Sequence, residues 1–364
     1  MGFYEVKSKT TKAGVKIRAA KSKVARKVPV AYTVKNGITR LVWEEGEGEI
    51  VAGAVIYLEL GRKGAAAGNV GDRLLVAGGQ TPSGQTDTVE TFSKSLQRSS
   101  AFRLTSNASY IKSAKTSNHL LFIYKNSSTH YLDSYDSSFT VKNLTHTFSN
   151  LDSAQTGSLQ GKAFIFDVDV KELSIIDDSL TVVSKVTSSI LSYAKTVSMD
   201  NHIIISGKRN NAKVVAVDSA GTEIALENMD ILRETMDGEY TGKQALFVGG
   251  ENLGVYYNDV LAYDTALTKV AAASIPTARM NIAATRLGNR AIFAGGYSYI
   301  NDKSAYYDEA FCYDSSLVQE VLPKLYRPSR YAAAGTIGNH ALIAGGVTLT
   351  VTAGDSSINV YTLQ

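Results

Sequence analysis

The chain is poor in the residues that most often carry chemistry: 364 residues hold one cysteine, Cys312, and five histidines. One cysteine excludes an intrachain disulfide framework and Cys-based zinc sites. Flanked by aromatics in a short apolar run, Cys312 is expected to pack as a small hydrophobe. No apolar run reaches the ~18 residues of a membrane span. The opening MGFYEVKSKTTKAG has no apolar h-region, so no secretory signal is expected, and Val6 weakens Gly2 as a myristoylation site. No glycine-rich loop runs into a helical pattern, which excludes a phosphate cradle. Stretches of helical period are missing too, and short apolar runs bounded by turn residues argue an all-β chain.

What is present is repetition. GDRLLVAGG (71–79), GKQALFVGG (242–250), GNRAIFAGG (288–296) and GNHALIAGG (338–346) share one register, from a turn glycine through an apolar run to a Gly-Gly pair. Between the first and second, SNHLLFIYK (117–125), QGKAFIFDV (160–168) and DNHIIISGK (200–208) keep the run and lose the doublet. Seven units result, starting 40 to 50 residues apart. A second phrase follows each: TFSKSL (91–96), SYDSSF (134–139), IIDDSL (175–180), AVDSAG (216–221), AYDTAL (262–267), CYDSSL (312–317) and the final VYTLQ (360–364). It reads as a strand ending in a Tyr-Asp turn or a relative, where Asp and Ser bond their own backbone.

Each unit therefore carries four short strands. A run of small residues such as YAAAGTI (331–337) suits an innermost strand crowded near an axis. The doublet removes two side chains where backbones approach closely. The last unit stops after its third strand, and VIYLELGRKGAAAG (55–68) supplies a fourth-strand pattern followed by a first-strand pattern. Residues 55–60 are thus expected to close the seventh blade and remove its open edge.

These phrases resemble the kelch β-propeller family over roughly residues 55–364, most specifically in blades one, five, six and seven. The resemblance implies an all-β, seven-bladed propeller of four-stranded blades, spanning 49–364. One departure stands out: kelch blades carry a Trp in the outer strand, and the one Trp here, Trp43, lies outside the repeats.

Residues 1–48 are a different kind of object. Residues 1–40 hold eleven Lys and Arg and one acid, Glu5, while 41–364 hold 27 basic and 33 acidic residues. RAAKSKVARKV (18–28) and YTVKNGITRLV (32–42) align at an offset of 14, each a strand, a turn and a strand, with Asn36-Gly37 a favoured hairpin turn. ARKV (25–28) and, more loosely, NGITRLVW (36–43) resemble short hairpin repeats of tail and minor structural proteins of Gram-positive phages and prophages. A small basic β-hairpin docking module is expected, with EEGEGE (44–49) as linker. A nucleic-acid arm and a disordered leader are the competing readings.

Candidate sites follow from the fold the resemblance implies, in which second-to-third-strand loops and interblade loops share a face. Those loops are long in blades one, five, six and seven: QTPSGQTD (80–87), ENLGVYYN (251–258), YSYINDKSAYY (297–307) and VTLTVTAGDS (347–356). They are short in blades two to four, as in NSSTH (126–130). The four long-loop blades are consecutive around a closed ring and build one raised sector. Tyr256, Tyr297, Tyr299 and Tyr306, with Arg62, Arg233, Arg279 and Arg330 near the starts of first strands, form the expected ligand-binding set. Tyr257 and Tyr307 begin third strands and are expected to pack. His119, His202 and His340 share one register on different blades and so cannot converge on a metal. The copper oxidases of this fold need a Cys–Tyr crosslink and His ligands, which this chain does not offer. Glu251, Asp259 and Glu309 could pose as the acid–base groups of sialic-acid isomerising relatives, but they read as solvated loop acids.

The expected function is non-enzymatic: a structural protein of a phage, prophage or phage-tail-like particle. Residues 1–48 would dock on other particle proteins, and the propeller would present a surface to a protein or cell-surface glycan. No cofactor, metal or membrane span is expected. The alternatives are a cellular kelch adaptor and a carbohydrate-active enzyme on a kelch propeller.

Overall fold

The computed structural model describes residues 31–35, 38–42, 48–144, 154–167, 171–187, 195–208, 211–351 and 354–364. Among them there is no helix. The chain divides into two compact units, Met1–Gly48 and Glu49–Gln364. In the first, Ala31–Lys35 and Ile38–Val42 pair antiparallel, with Lys35 opposite Ile38. The other basic copy (18–28), the Asn36-Gly37 turn and residues 43–47 lie outside the described residues, as does His146.

The second unit is a seven-bladed β-propeller of four-stranded antiparallel blades. The innermost strands are Ala66–Val70, Lys112–Lys115, Gln155–Leu159, Lys195–Ser198, Asp237–Tyr240, Ala283–Leu287 and Ala333–Ile337. Each neighbours the next, and the last lies against the first, so the ring closes. The second strands carry the repeated apolar run, and burial on both sides explains why it is continuous rather than alternating. In blade one, Leu74 and Val76 pack with Leu342, Ala344 and Ile358 of blade seven. Leu75 and Ala77 of the same strand pack with Leu120 and Phe122 of blade two. A side chain of this kind contributes about 1.5–3 kcal/mol when fully buried.

The Gly-Gly pair is the joint between blades. Both of its residues have positive φ, as in Gly295 (72°) and Gly296 (112°). A Cβ on Gly295 would collide with the Ser329 carbonyl, to which the Gly296 N–H donates at 2.8 Å. Gly79 donates likewise to Ala108 (2.7 Å), Gly250 to Arg279 (2.9 Å) and Gly346 to Arg62 (2.8 Å). In all four blades the doublet therefore ties one blade to the lead-in of the next.

The Tyr-Asp phrase does two jobs. Asp264 accepts the N–H groups of Ala266 and Thr268, each at 2.9 Å, and Asp136, Asp218 and Asp314 repeat this i+2, i+4 pattern. The buried tyrosine before the Asp, or before Thr362 in blade seven, hooks the preceding blade. Tyr135 donates to the Arg103 carbonyl (2.7 Å), Tyr313 to Ala273 (2.6 Å), Tyr361 to Pro323 (2.7 Å) and Tyr263 to Glu227. Burial raises the pKa of all four phenols, that of Tyr313 to about 12.

Ring closure uses the N-terminal side of the propeller, but it begins earlier than 55–60. Ile50–Ala52 and Ile56–Tyr57 pair with the final strand Ser357–Leu363, from Ile50 opposite Leu363 to Tyr57 opposite Ser357. The seven-residue final strand is matched along its length only if its partner starts at Ile50. That residue is 4% exposed, in the core shared by blades six and seven. Residues 58–60 leave the sheet.

Candidate recognition site

The doublet stops the second strand short, and the next residues fold apart from the blade. In blade five Glu251–Asn252 pairs with Val255–Tyr256, and in blade six Tyr297–Ile300 pairs with Lys303–Tyr306. The blade-six hairpin turns through Asn301 and Asp302, both at positive φ (52° and 59°), a conformation these two residue types tolerate. In blade five the Glu251 carboxylate accepts the Gly254 N–H and holds the turn. Each raised connection begins with a bridge to a lead-in segment: Lys63 to Gln80, Glu234 to Glu251, Met280 to Tyr297, Arg330 to Val347.

The four expected arginines separate into two groups. Arg62, Arg233 and Arg279 are 0–1% exposed, unlike the surface groups the sequence suggested. They pair with Glu90 within the third strand of blade one and with Asp259 and Glu309 just before the third strands of blades five and six. Arg62 also donates to the carbonyls of Gly78 (3.2 Å) and Thr88 (3.0 Å), and Arg279 to that of Gly295 (3.2 Å). The reason is local. The bent chain at the doublet exposes carbonyls with no sheet partner, and a guanidinium satisfies several at once. Burial lowers the pKa of Arg62 and Arg233, and the paired acids oppose that shift. Asp259 and Glu309 are therefore ion-pair partners rather than solvated loop acids.

Arg330 is different. It lies one residue past that register, which Ser329 occupies in blade seven, its hydroxyl donating to Gly345 at 3.1 Å. The Arg330 guanidinium stacks over Tyr297 at 3.9 Å, with Tyr331 at 5.1 Å and Tyr306 at 5.3 Å. Tyr297 and Tyr306 meet edge to face at 5.2 Å. Tyr256 joins through its phenol, which lies within electrostatic reach of the Tyr299 backbone, of Tyr297 and of Arg330. Tyr256, Tyr297, Tyr299, Tyr306 and Arg330 are thus brought together. Tyr307 packs: its ring lies under Arg279 at 4.1 Å and its hydroxyl bonds Ser298 at 2.7 Å.

Two features were not anticipated from the sequence. The tips of this sector are apolar: Leu253 is 76% exposed, Leu349 68%, Val255 55%, Ile300 48% and Tyr299 47%. Single Leu, Val and Ile residues in otherwise polar loops were the available signal. The second is an axial pocket of about 290 Å³ lined by Tyr110, Lys112, Thr235, Asp237, Asn281 and Tyr331, among others. Tyr110 and Tyr331 meet edge to face at 6.2 Å. Asp237 pairs with Lys195 (3.1 Å) and accepts the Ile282 N–H (2.7 Å). Burial nevertheless raises the pKa of Asp237, and that of Glu239 on the same strand. Among the described residues no group of three His, Cys, Asp or Glu could hold a metal. The Cys312 thiol is buried and raised to about 12.

No family model and no curated protein matches the chain in sequence. Solved structures do match it in fold. The structure of YjhT superposes with a TM-score of 0.53 at 13% identity, covering 85% of this chain and 99% of that one. A catalytically inactive variant of virginiamycin B lyase from Staphylococcus aureus, solved with quinupristin, gives 0.60 at 13% identity over 87% of this chain and 100% of the other. The selenomethionine form of that lyase gives 0.57 at 12% identity over the same shares. These matches correct the expectation of a non-enzymatic protein: a lyase is built on the same fold, so the propeller gives no ground for excluding catalysis. At these identities the likeness is one of fold, and by fold the chain is a seven-bladed β-propeller.

Proposed function

We propose that the chain is a recognition protein whose propeller binds a partner protein through the raised sector of blades five, six and seven. The carrying observation is the exposure of Leu253, Val255, Tyr299, Ile300 and Leu349 on three consecutive blades, around the Arg330–tyrosine cluster. Apolar side chains around half-buried aromatics and an arginine have the composition of an interface hot spot. A clustered apolar surface facing water marks an interaction site more often than an accident. A cell-surface glycan is the second reading, favoured by the tyrosine faces; the aliphatic tips favour protein.

The finer reading is that this is a kelch-type propeller in a phage or phage-tail-like particle, with residues 1–48 as the docking module. The Gly-Gly phrases support the first part. The second rests on ARKV (25–28), NGITRLVW (36–43) and the charge contrast between the units.

The test uses the full chain. Substituting Leu253→Ser, Ile300→Ser and Leu349→Ser together is expected to abolish partner binding with no change in melting. Val183→Ser, as exposed as Ile300 (47% against 48%) but on the outer strand of blade three, is expected to do nothing. Equal losses from both, or none from the tips, contradict the reading. Deleting residues 1–48 is expected to prevent assembly into the particle while the propeller melts as before. Salt-sensitive binding of that segment to DNA of any sequence would instead support a nucleic-acid arm.

A further inference from the structure

Arg330 is the arginine of this face with no acid. Arg62, Arg233 and Arg279 each hold a carboxylate, yet no carboxylate among the described residues pairs with Arg330. Its Nε is closed off from solvent and has no hydrogen-bond partner. Buried donors are almost always satisfied, so an orphaned one calls for an explanation. The side chain is held in place by ring contacts on Tyr297, Tyr306 and Tyr331 and by the backbone bridge to Val347. With Nε shut off, the Nη end carries the charge outward.

We infer that Arg330 is the anchor for a carboxylate on the bound partner: an Asp or Glu side chain flanked by apolar residues. Three observations point to that chemistry. The guanidinium is already partly stripped of water and fixed in orientation, so an incoming anion meets less of the desolvation and ordering cost. Its planar fork suits a carboxylate. The aliphatic side chains Leu253 and Ile300 on the two hairpins and Leu349 on the blade-seven loop are exposed, which fits apolar neighbours of the acid on the partner. A polyanion such as nucleic acid fits poorly, because residues 41–364 carry more acidic than basic side chains. This inference rests on the raised sector being the recognition surface.

The experiment titrates the full chain with acetyl-Leu-Glu-Leu-amide, with its Gln counterpart and with sodium glucuronate. Binding is read by isothermal titration calorimetry in parent and variants, and in the parent also by the Arg330 Nε–Hε resonance, assigned by its loss in Arg330→Gln. The acidic peptide is expected to bind about tenfold more tightly than the neutral one, the size of one charge-assisted contact. That preference should vanish in Arg330→Gln at unchanged melting temperature. If Arg330→Gln unfolds early, Arg330→Lys replaces it, and it should bind the acidic peptide at least about threefold more weakly while leaving the neutral peptide unaffected. Equal binding of the two peptides overturns the inference, as does an acid preference that survives Arg330→Gln. Glucuronate binding as tightly as the acidic peptide also overturns it, in favour of a sugar acid. If the tip substitutions abolish partner binding but the peptides show no acid preference, the surface stands and only this inference falls.

Discussion

Blades two to four and blades five, six, seven and one solve the same problem differently. In blade two the second strand runs straight into the third, Asn126 facing Thr129 across a turn that places Ser127 at a φ of 53°. In the other group the second strand halts at two glycines, the first donating its N–H to the third strand of its own blade and the second to the neighbouring blade. The chain then leaves the sheet and makes a separate hairpin or loop before returning as the third strand. The interior requirement for a close-packed joint thus creates the raised surface. Blade two buries a carboxylate in a neutral network: Asp133 accepts from Thr105 N–H and Oγ1 and from Tyr124 Oη, each at 2.7 Å, and from Asn143 at 3.0 Å. Doublet blades one, five and six use a buried arginine instead.

That contrast sets the order of expected effects. Glu90→Gln should be the most damaging change, about 3–5 kcal/mol by urea unfolding, because it leaves Arg62 buried and uncompensated. Asp133→Asn in blade two strands no cation and should cost less, about 1–3 kcal/mol. Equal losses would remove the distinction between the two designs. Next, Gly295→Ala should cost about 2–4 kcal/mol, since it combines a positive φ with a collision against the Ser329 carbonyl. Ser127→Gly, at the corresponding bend of a straight blade, should change stability by less than about 1 kcal/mol. A harmless Gly295→Ala would mean that the joint is not rigid.

The smallest effect concerns the tyrosine hooks, which both kinds of blade use. Tyr313→Phe should cost about 1 kcal/mol near neutral pH. The Tyr313 pKa is raised to about 12 by burial, so the native state holds its proton more tightly than the unfolded chain does. Its contribution is therefore complete below the ordinary phenol range and is lost as pH rises through about 12. Melting followed from pH 9 upward should fall less steeply in Tyr313→Phe than in the parent; parallel curves would show that the phenol ionises freely.

Features set by backbone demand were legible in the sequence. Two glycines at a joint, a Tyr-Asp turn and an apolar run buried on both faces leave fixed spacings, and those spacings gave seven units. Side-chain partnerships were harder to see. The arginines were read as surface groups, although each is followed 26 to 30 residues later by its acid: Glu90 after Arg62, Asp259 after Arg233, Glu309 after Arg279. Blade seven breaks that offset with Ser329, which is what frees Arg330 for another role. The closing strand was placed at 55–60, five residues late, because it was matched to the fourth-strand pattern that follows the acidic linker (44–49), whereas Ile50 already belongs to the core. The apolar hairpin tips obey no period, so only their positions in space reveal them.

The most direct test of the raised sector is site-specific photo-crosslinking in the native host. A benzophenone amino acid would be placed singly at Leu253, Ile300 and Leu349, and as controls at Ser127 and Val183. The account predicts a discrete crosslinked partner of one size from all three tip positions and none from the controls. A product of the same size from Ser127 or Val183, with none from the tips, would contradict it.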